Sequence, residues 1–342
     1  MKFTGSAQIS PGWSAGYVLH IEAISSDSLT TNANRPVGPG ALAGAGGGNV
    51  QTLQSYWYVK SDQLGKIGLG KQSQASDNTA ILVDGSGSLV PANWVAFDVN
   101  SFAIRNNTPG LDGAAGNWGG VGRCVGGGAW GDCNGATQNV VRYDSPTFGG
   151  FSVSASWGED DMWDVAARYA GEHHGFKLAV AAAYNEIDSA LTAPLFAPGG
   201  IGVEAEYFQI GAYVQHVATG LFLYGAYGNN ELNFDNTPGV SYEADVYYIK
   251  GGLRTKFNHL GATVFYGEYQ EVDGDLDAGL PVTLASEQMD LWGLGVVQEV
   301  DAAAMSVWIK YRSMSYDVSV FGTDIPGWED FDYVGVGGLI NF

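Results

Sequence analysis

The chain has 342 residues, with 36 acidic side chains against 15 basic ones and a formal net charge of −21. A chain that acidic repels nucleic-acid phosphates, which excludes DNA or RNA as a partner, and it gathers cations instead. Apolar residues make up 45% of it, which argues for a folded core over disorder, and no apolar run nears the roughly 18 residues of a membrane-crossing helix.

The first residues, MKFTGSAQIS, lack the apolar core and cleavage site of a signal peptide and read as a strand. Period-two alternation then recurs to the end of the chain. It predicts strands at 2–8, 12–24, 51–60, 65–73, 138–145, 149–158, 162–171, 175–186, 204–217, 220–229, 242–256, 260–272, 287–298, 303–314 and 330–342. In FSVSASWG, 151–158, Phe151, Val153, Ala155 and Trp157 form an oily face, and Ser152, Ser154 and Ser156 form a wet one. Trp163, Val165, Ala167 and Tyr169 oppose Asp164, Ala166 and Arg168. Phe176, Leu178, Val180, Ala182 and Tyr184 oppose Lys177, Ala179 and Ala181. Phe208, Ile210, Ala212 and Val214 oppose Gln209, Gly211, Tyr213 and Gln215. Met305, Val307, Ile309 and Tyr311 oppose Ser306, Lys310 and Arg312. Over LGATVFYGEYQ, 260–270, the alternation assigns no face.

A soluble sandwich explains any one of these strands as well as a membrane barrel does. The series favours the barrel. Short links such as SDQLG (61–65), GEHHG (171–175) and ATG (218–220) alternate with longer links rich in Asp, Gly, Asn and Pro. Short turns at one end and long loops at the other are the arrangement of transmembrane barrels, whose strands need only about 9–11 residues each. Several oily faces also carry aromatics at both ends, as two membrane interfaces require.

VRYDSPTFGGFSVSASWGEDD, 141–161, resembles the stretch of general bacterial outer-membrane porins in which Arg-Tyr-Asp-Ser-Pro turns through Phe-Gly into the next strand. KIGLGKQSQASDN, 66–78, is similar to the family's strand leading into its long constriction loop. GSAQISPGWSAGYVLHIEA, 5–23, resembles an early hairpin of the alphaproteobacterial type, and YVGVGGLINF, 333–342, resembles the closing strand with its terminal Phe342. The resemblance spans the chain as a single domain, 1–342. It implies an all-β, sixteen-stranded transmembrane antiparallel barrel, assembled as a homotrimer in the bacterial outer membrane. Such a channel contacts outer-membrane lipid and lipopolysaccharide and passes small hydrophilic solutes and ions by passive diffusion.

Two features depart from that pattern. Fifteen strands are predicted where a single-chain barrel needs an even number, and the long link follows the fourth strand rather than the fifth. Both point to a first strand absent from this sequence, or else to an extra strand at WVAFDVNSFAIR, 94–105.

The link 74–137 is far longer than an ordinary connection. The resemblance implies that it folds inward and narrows the pore, with Asp84 and Asp98 as its acidic candidates, although the family's Pro-Glu-Phe-Gly-Gly stretch is missing. The basic candidates opposite are Lys71, Arg168, Lys177, Lys250, Lys310 and Arg312, which parity sets mostly on wet faces. Acids facing bases across a narrow aqueous gap order polar solutes in a transverse field; the alternative is that several of these charges simply solvate the lumen. Cys124 and Cys133, in RCVGGGAWGDC of the same link, read as a disulfide rather than a metal site, since no nearby histidine completes a zinc ligand set. Acids concentrated in the long loops, among them Glu159, Asp161, Asp273, Asp275, Asp324 and Asp330, predict a weak preference for cations.

Three local motifs carry little. GKIGLGKQ, 65–72, nearly matches a phosphate-binding loop, but Gln72 stands where Ser or Thr is required. DGDLD, 273–277, has the look of a calcium loop, but Ala278 holds the glycine position, so it reads as an acidic surface loop. His173 and His174 lie in a turn with no nucleophile motif, so neither catalysis nor a cofactor is expected. Two other classes stay open: a substrate-selective channel lined by ordered aromatics, and a plugged barrel with a structural or adhesive role.

Overall fold

The computed structural model describes residues 1–24, 49–92, 102–122, 137–159, 161–191, 201–234, 239–279 and 283–341. Within them runs one antiparallel sheet of 16 strands. Its first half is β1 (Lys2–Ser10), β2 (Trp13–Ile24), β3 (Asn49–Ser61), β4 (Gly65–Gln72), β5 (Gln138–Asp144), β6 (Phe151–Gly158), β7 (Trp163–His173) and β8 (Phe176–Leu191). Its second half is β9 (Ile201–His216), β10 (Leu221–Phe234), β11 (Ser241–Thr255), β12 (Thr263–Asp277), β13 (Ala285–Val300), β14 (Met305–Val320), β15 (Thr323–Asp324) and β16 (Phe331–Ile340). Each strand through β14 pairs with its successor in sequence, and β14 also pairs with β16 along its length.

All fifteen predicted strands are present, as β1–β14 and β16. The even count comes from β15, a dipeptide that pairs only with Ser319 and Val320 at the end of β14. In the wall itself β1 and β16 run the same way, toward the short-turn rim, so they cannot form an antiparallel pair. Among the described residues no ladder joins them. The extra strand proposed at 94–105 is not in the wall where it is described: Ala103 forms a bridge with Asn117, and Ile104 is fully buried. Residues 94–101 lie outside the described residues.

The predicted faces hold. Side chains alternate across a strand regardless of its partner, so Val153, Val165, Val180, Ile210 and Ile309 are exposed on one face, while Ser154, Asp164, Ala181 and Gln209 are buried on the other. The ambiguous stretch 260–270 resolves with Phe265 and Tyr269 exposed and Val264, Tyr266, Glu268 and Gln270 buried. Val264 and Tyr266 make the inner face as apolar and aromatic as the outer one over the strand's first half, which is why the alternation assigned no face. The turn from β7 to β8 shows how short links are encoded. His174 and Gly175 both have positive φ, 50° and 82°, the type I′ geometry whose twist matches a two-residue hairpin.

Strands run further toward the long-loop rim than predicted. β10 continues through Asn230, Glu231 and Leu232, and β12 through Asp273, Gly274 and Asp275. DGDLD is therefore not a surface loop but the end of β12, laddered to β11 and β13. Its outward side chains are Asp273, Asp275 and Asp277 and its inward ones Gly274 and Leu276, a composition typical of a loop that leaves the backbone ladder intact.

Candidate pore constriction

The inner face of the sheet is the one against which residues 73–92 and 102–122 pack. The segment leaves β4 and is received by β6 and β7. Ser156 Oγ accepts the Ala75 N–H at 3.0 Å, and the buried Asp164 accepts the Ser76 N–H and Oγ–H at 2.6 Å each. Ser156 donates its own hydroxyl to Asp164. Arg168 donates to Ala75 O at 2.6 Å, Thr79 Oγ1 at 2.8 Å and Ser154 Oγ at 2.6 Å. The inward serines of FSVSASWG thus face the lumen side as expected, but Ser154 and Ser156 are covered by this segment rather than by open water.

One turn further on, Gln209 of β9 grips both sides of the segment. Its Oε1 accepts from Ala80 N at 2.8 Å and its Nε2 donates to Ser76 O at 3.0 Å. Tyr224 of β10 donates to Ala80 O at 2.9 Å. Gly211 makes this approach possible, because a Cβ there would lie 2.1 Å from Ala80 O.

The segment then forms a single 3-10 turn, Ile81–Val83, and presents Asp84 to Lys250 of β11. The ammonium lies 2.5 Å from Asp84 Oδ2 and 2.9 Å from Ser88 Oγ, with Ser86 Oγ and Ala92 O each at 3.3 Å. Lys250 is 0% exposed. The second buried pair is Arg312 of β14 with Glu268 of β12, a two-point contact at 2.7 and 3.1 Å. The Tyr248 hydroxyl sits between Glu268 Oε2, 2.6 Å away, and Ala92 O, 2.7 Å away, and Lys310 donates to Pro91 O at 3.0 Å. Buried charges demand such satisfaction, since each leaves water at a cost of several kcal/mol.

The returning limb, 102–122, packs on the inner face of β14 and β16. Trp118 is 1% exposed, stacked 6.1 Å from Phe331 and edge-on 6.4 Å from Tyr316. Asn106 bridges Trp328, and Glu329 N donates to Arg105 O at 3.0 Å. Much of the inner face of β9–β14 is thereby covered, with a cavity of about 320 Å³ left between β12–β14 and residues 111–115. On β1–β4 the inner side chains Ser6, Gln8 and Lys60 are exposed, and Tyr56 and Lys66 are half-buried.

The predicted charges therefore separate into groups. Asp84, Arg168, Lys250, Lys310 and Arg312 meet around the inward segment. Lys177 has the inward parity but lies exposed at the short-turn end of β8, opposite Glu172 and Gln215. Lys71 departs from the inward placement. It shares the outward face with Ile67 and Leu69, two and four residues before it, and its ammonium donates to Thr52 O at 3.0 Å. Asp98, Cys124 and Cys133 lie outside the described residues. Glu268, Asp164, Gln209 and Arg142 were not singled out by sequence. Asp164 and Gln209 carry the inward parity and were findable from it, whereas Glu268 sits in the strand whose faces could not be assigned. Arg142 holds the start of the segment, donating to Ser73 O at 3.0 Å and Gln74 O at 2.8 Å while paired with Asp144 at 2.8 Å.

The outer face has a different chemistry. Aromatic pairs mark two levels. Near the short turns Phe151 meets Tyr169 at 4.4 Å and Phe176 meets His216 at 4.9 Å. Nearer the long loops Trp163 meets Tyr184 at 5.4 Å, Tyr227 meets Tyr247 at 5.2 Å and Trp292 meets Tyr311 at 5.3 Å. Between the levels stand exposed aliphatic side chains such as Leu223, Ile249, Leu294 and Ile309. A continuous exposed apolar band bounded by aromatic rings is what lipid requires and water does not tolerate. Above the upper level, tyrosines donate to outward carboxylates: Tyr184 to Glu206 at 2.5 Å, Tyr227 to Asp245 at 2.6 Å, Tyr269 to Asp290 at 2.5 Å and Tyr311 to Asp332 at 2.7 Å.

The sequence pattern of the Gram-negative porins matches residues 1–317. The chain belongs to that family. It is a multi-strand β-barrel of the bacterial outer membrane and a channel for passive diffusion. Solved structures agree in fold. The anion-selective porin of Comamonas acidovorans is 14% identical, aligns over 98% of this chain and 87% of its own, and gives a TM-score of 0.57. OmpT of Vibrio cholerae, an outer membrane protein, is 13% identical, with 98% and 87% covered and a TM-score of 0.54. Its trimer form is 14% identical, with 98% and 88% covered and a TM-score of 0.54. No curated protein matches this porin.

Proposed function

We propose that residues 74–137 are the constriction of a general diffusion channel for small hydrophilic solutes and ions, and that this channel prefers cations weakly. The observation that carries the preference is the fate of the inward bases. Lys250 and Arg312 are neutralised by Asp84 and Glu268, and Arg168 and Lys310 are spent on carbonyls and hydroxyls of the segment. They are holding the constriction in place rather than presenting positive charge to solutes. The chain's acidic excess then sets the potential of the mouth, where the links of the long-loop rim carry Glu159, Asp161, Asp324 and Asp330. Exposed charges are screened beyond about 8 Å at physiological salt, so the preference is modest and fades as salt rises. In a KCl gradient across reconstituted channels, the reversal potential is expected to show cation preference at low salt that shrinks at high salt. Anion preference at low salt overturns the reading. The Comamonas acidovorans porin is named anion-selective, but selectivity follows charge placement, which 14% identity does not carry across. The reading is of a channel rather than an enzyme, on family and fold.

Assembly is proposed as a homotrimer in contact with outer-membrane lipid and lipopolysaccharide. The trimer form of OmpT supports the first part. The outward face of β1–β4 supports it further, with Phe3, Tyr17, Trp57 and Ile67 all exposed. The outward carboxylates need divalent cations to approach anionic lipid phosphates. Unheated electrophoresis in SDS is expected to give a band near three times the heated chain's mass, and chelation of divalent cations in lipopolysaccharide-bound samples is expected to lower its dissociation temperature. A single-chain band in mild detergent contradicts the trimer, and a temperature indifferent to chelation contradicts the lipid bridge.

A further inference from the structure

We propose that Leu82 and Val90, on the lumen side of the inward segment, make this porin favour small solutes without net charge that join a compact aliphatic group to polar groups, over equally small solutes that are polar throughout. This preference rests on the reading of residues 74–137 as the constriction and specifies the solute class that passes it best. Residues 81–92 read ILVDGSGSLVPA, with Asp84, Ser86 and Ser88 as their only polar side chains. All three are buried, and all three turn toward the Lys250 ammonium of β11. The side chains left in the open are apolar. Leu82 is 65% exposed and Val90 is 40% exposed. Val83 and Leu89 are half-buried, and the exposed Gly85 and Gly87 carry no side chain.

A single exposed leucine or valine is ordinary on any protein surface. The reversal is not. A segment lying in a water-filled lumen satisfies water best by turning polar side chains to the pore and apolar ones to the wall, and residues 81–92 do the opposite. The cause is Lys250: a buried ammonium must be paired and hydrogen-bonded, and the segment's carboxylate and hydroxyls are drawn to it. The stretch also lies inside the wall rather than at its mouths. Ala80 rests on Gly211 within β9, Asp84 meets Lys250 within β11, and Pro91 O accepts from Lys310 within β14. An aliphatic group passing Leu82 or Val90 sheds water together with them, and each methylene so covered is worth about fourfold in partition. A net charge gains no partner from Asp84 or Lys250, because these two neutralise each other. Weak attraction of this kind raises occupancy of a pore without trapping the solute.

The test measures swelling of proteoliposomes holding the full chain in leucine and in asparagine, zwitterions of similar size that differ at the aliphatic end, with empty liposomes as the lipid background. The ratio of leucine to asparagine rates is expected to fall about fourfold from wild type to the double variant Leu82→Asn with Val90→Thr, which keeps both side chains near their size and makes both polar. A ratio that stays the same or rises overturns the preference. Single-channel conductance of Leu82→Trp separates this from the reading beneath it, and is expected to be lower than wild type because the larger ring narrows the pore. Lowered conductance with an unchanged ratio overturns the solute preference and leaves the constriction standing. Wild-type conductance overturns both, since Leu82 then does not border the pore. If Leu82→Trp does not fold, as judged by strand content in circular dichroism, Leu82→Phe is measured in its place.

Discussion

Asp84→Ala is expected to release the inward segment and raise single-channel conductance. The substitution leaves the Lys250 ammonium, 0% exposed, without its carboxylate. Removing one partner of a buried pair typically costs about 3–5 kcal/mol, because the remaining charge stays desolvated and unpaired. The cost falls on the docked segment, since the ammonium regains water once residues 84–92 move away. The wall is expected to survive, because β11 stays laddered to β10 and β12 on its two sides. A paired control separates charge from packing. Lys250→Met with Asp84→Leu removes both charges together, a change that is often neutral in buried sites, and its conductance is expected to stay near wild type. A single variant that conducts like wild type would show that the pair does not hold the segment down.

Gly211→Val is expected to displace the segment at a second point. Valine is favoured in strands over glycine, so strand preference alone predicts a more stable protein. The close approach predicts the opposite. The added Cβ would lie 2.1 Å from Ala80 O and 2.8 Å from Ala80 C, both backbone atoms that cannot rotate aside. The Gln209 and Tyr224 bonds to Ala80 are lost with the displacement, each worth about 0.5–1.5 kcal/mol. Higher conductance with unchanged strand content by circular dichroism is the expected result. Wild-type conductance in this variant would mean that the segment does not pass over Gly211 in the membrane.

How much of this was legible in the sequence differs by element. β7 and β9 were read correctly in face and to within three residues in extent, because Trp163–Tyr169 and Phe208–Val214 alternate with residues that are mostly polar or small. β12 was found as a strand but not oriented, since Phe265 and Tyr266 make both faces aromatic. Its far end, DGDLD, was taken for a loop because three aspartates and a glycine in five residues have the composition of a loop whether the backbone is laddered or free. Lys71 was placed inward among bases that mostly are, although Ile67 and Leu69 in the same strand already fixed it outward.

The sequence by itself determined the strands, their inward and outward faces and the membrane setting, because side-chain alternation and aromatic levels are local properties repeated along the chain. Only the tertiary structure decided what the inward charges do. Asp84 and Lys250 are 166 residues apart, and Ala80 and Gln209 are 129 apart. Parity says which face a side chain takes but not what lies across from it. Arg168, Lys250, Lys310 and Arg312 looked like charges awaiting solutes, and the fold places polypeptide against them instead. A long inward segment buries many backbone polar groups, and those groups must be satisfied wherever water is excluded.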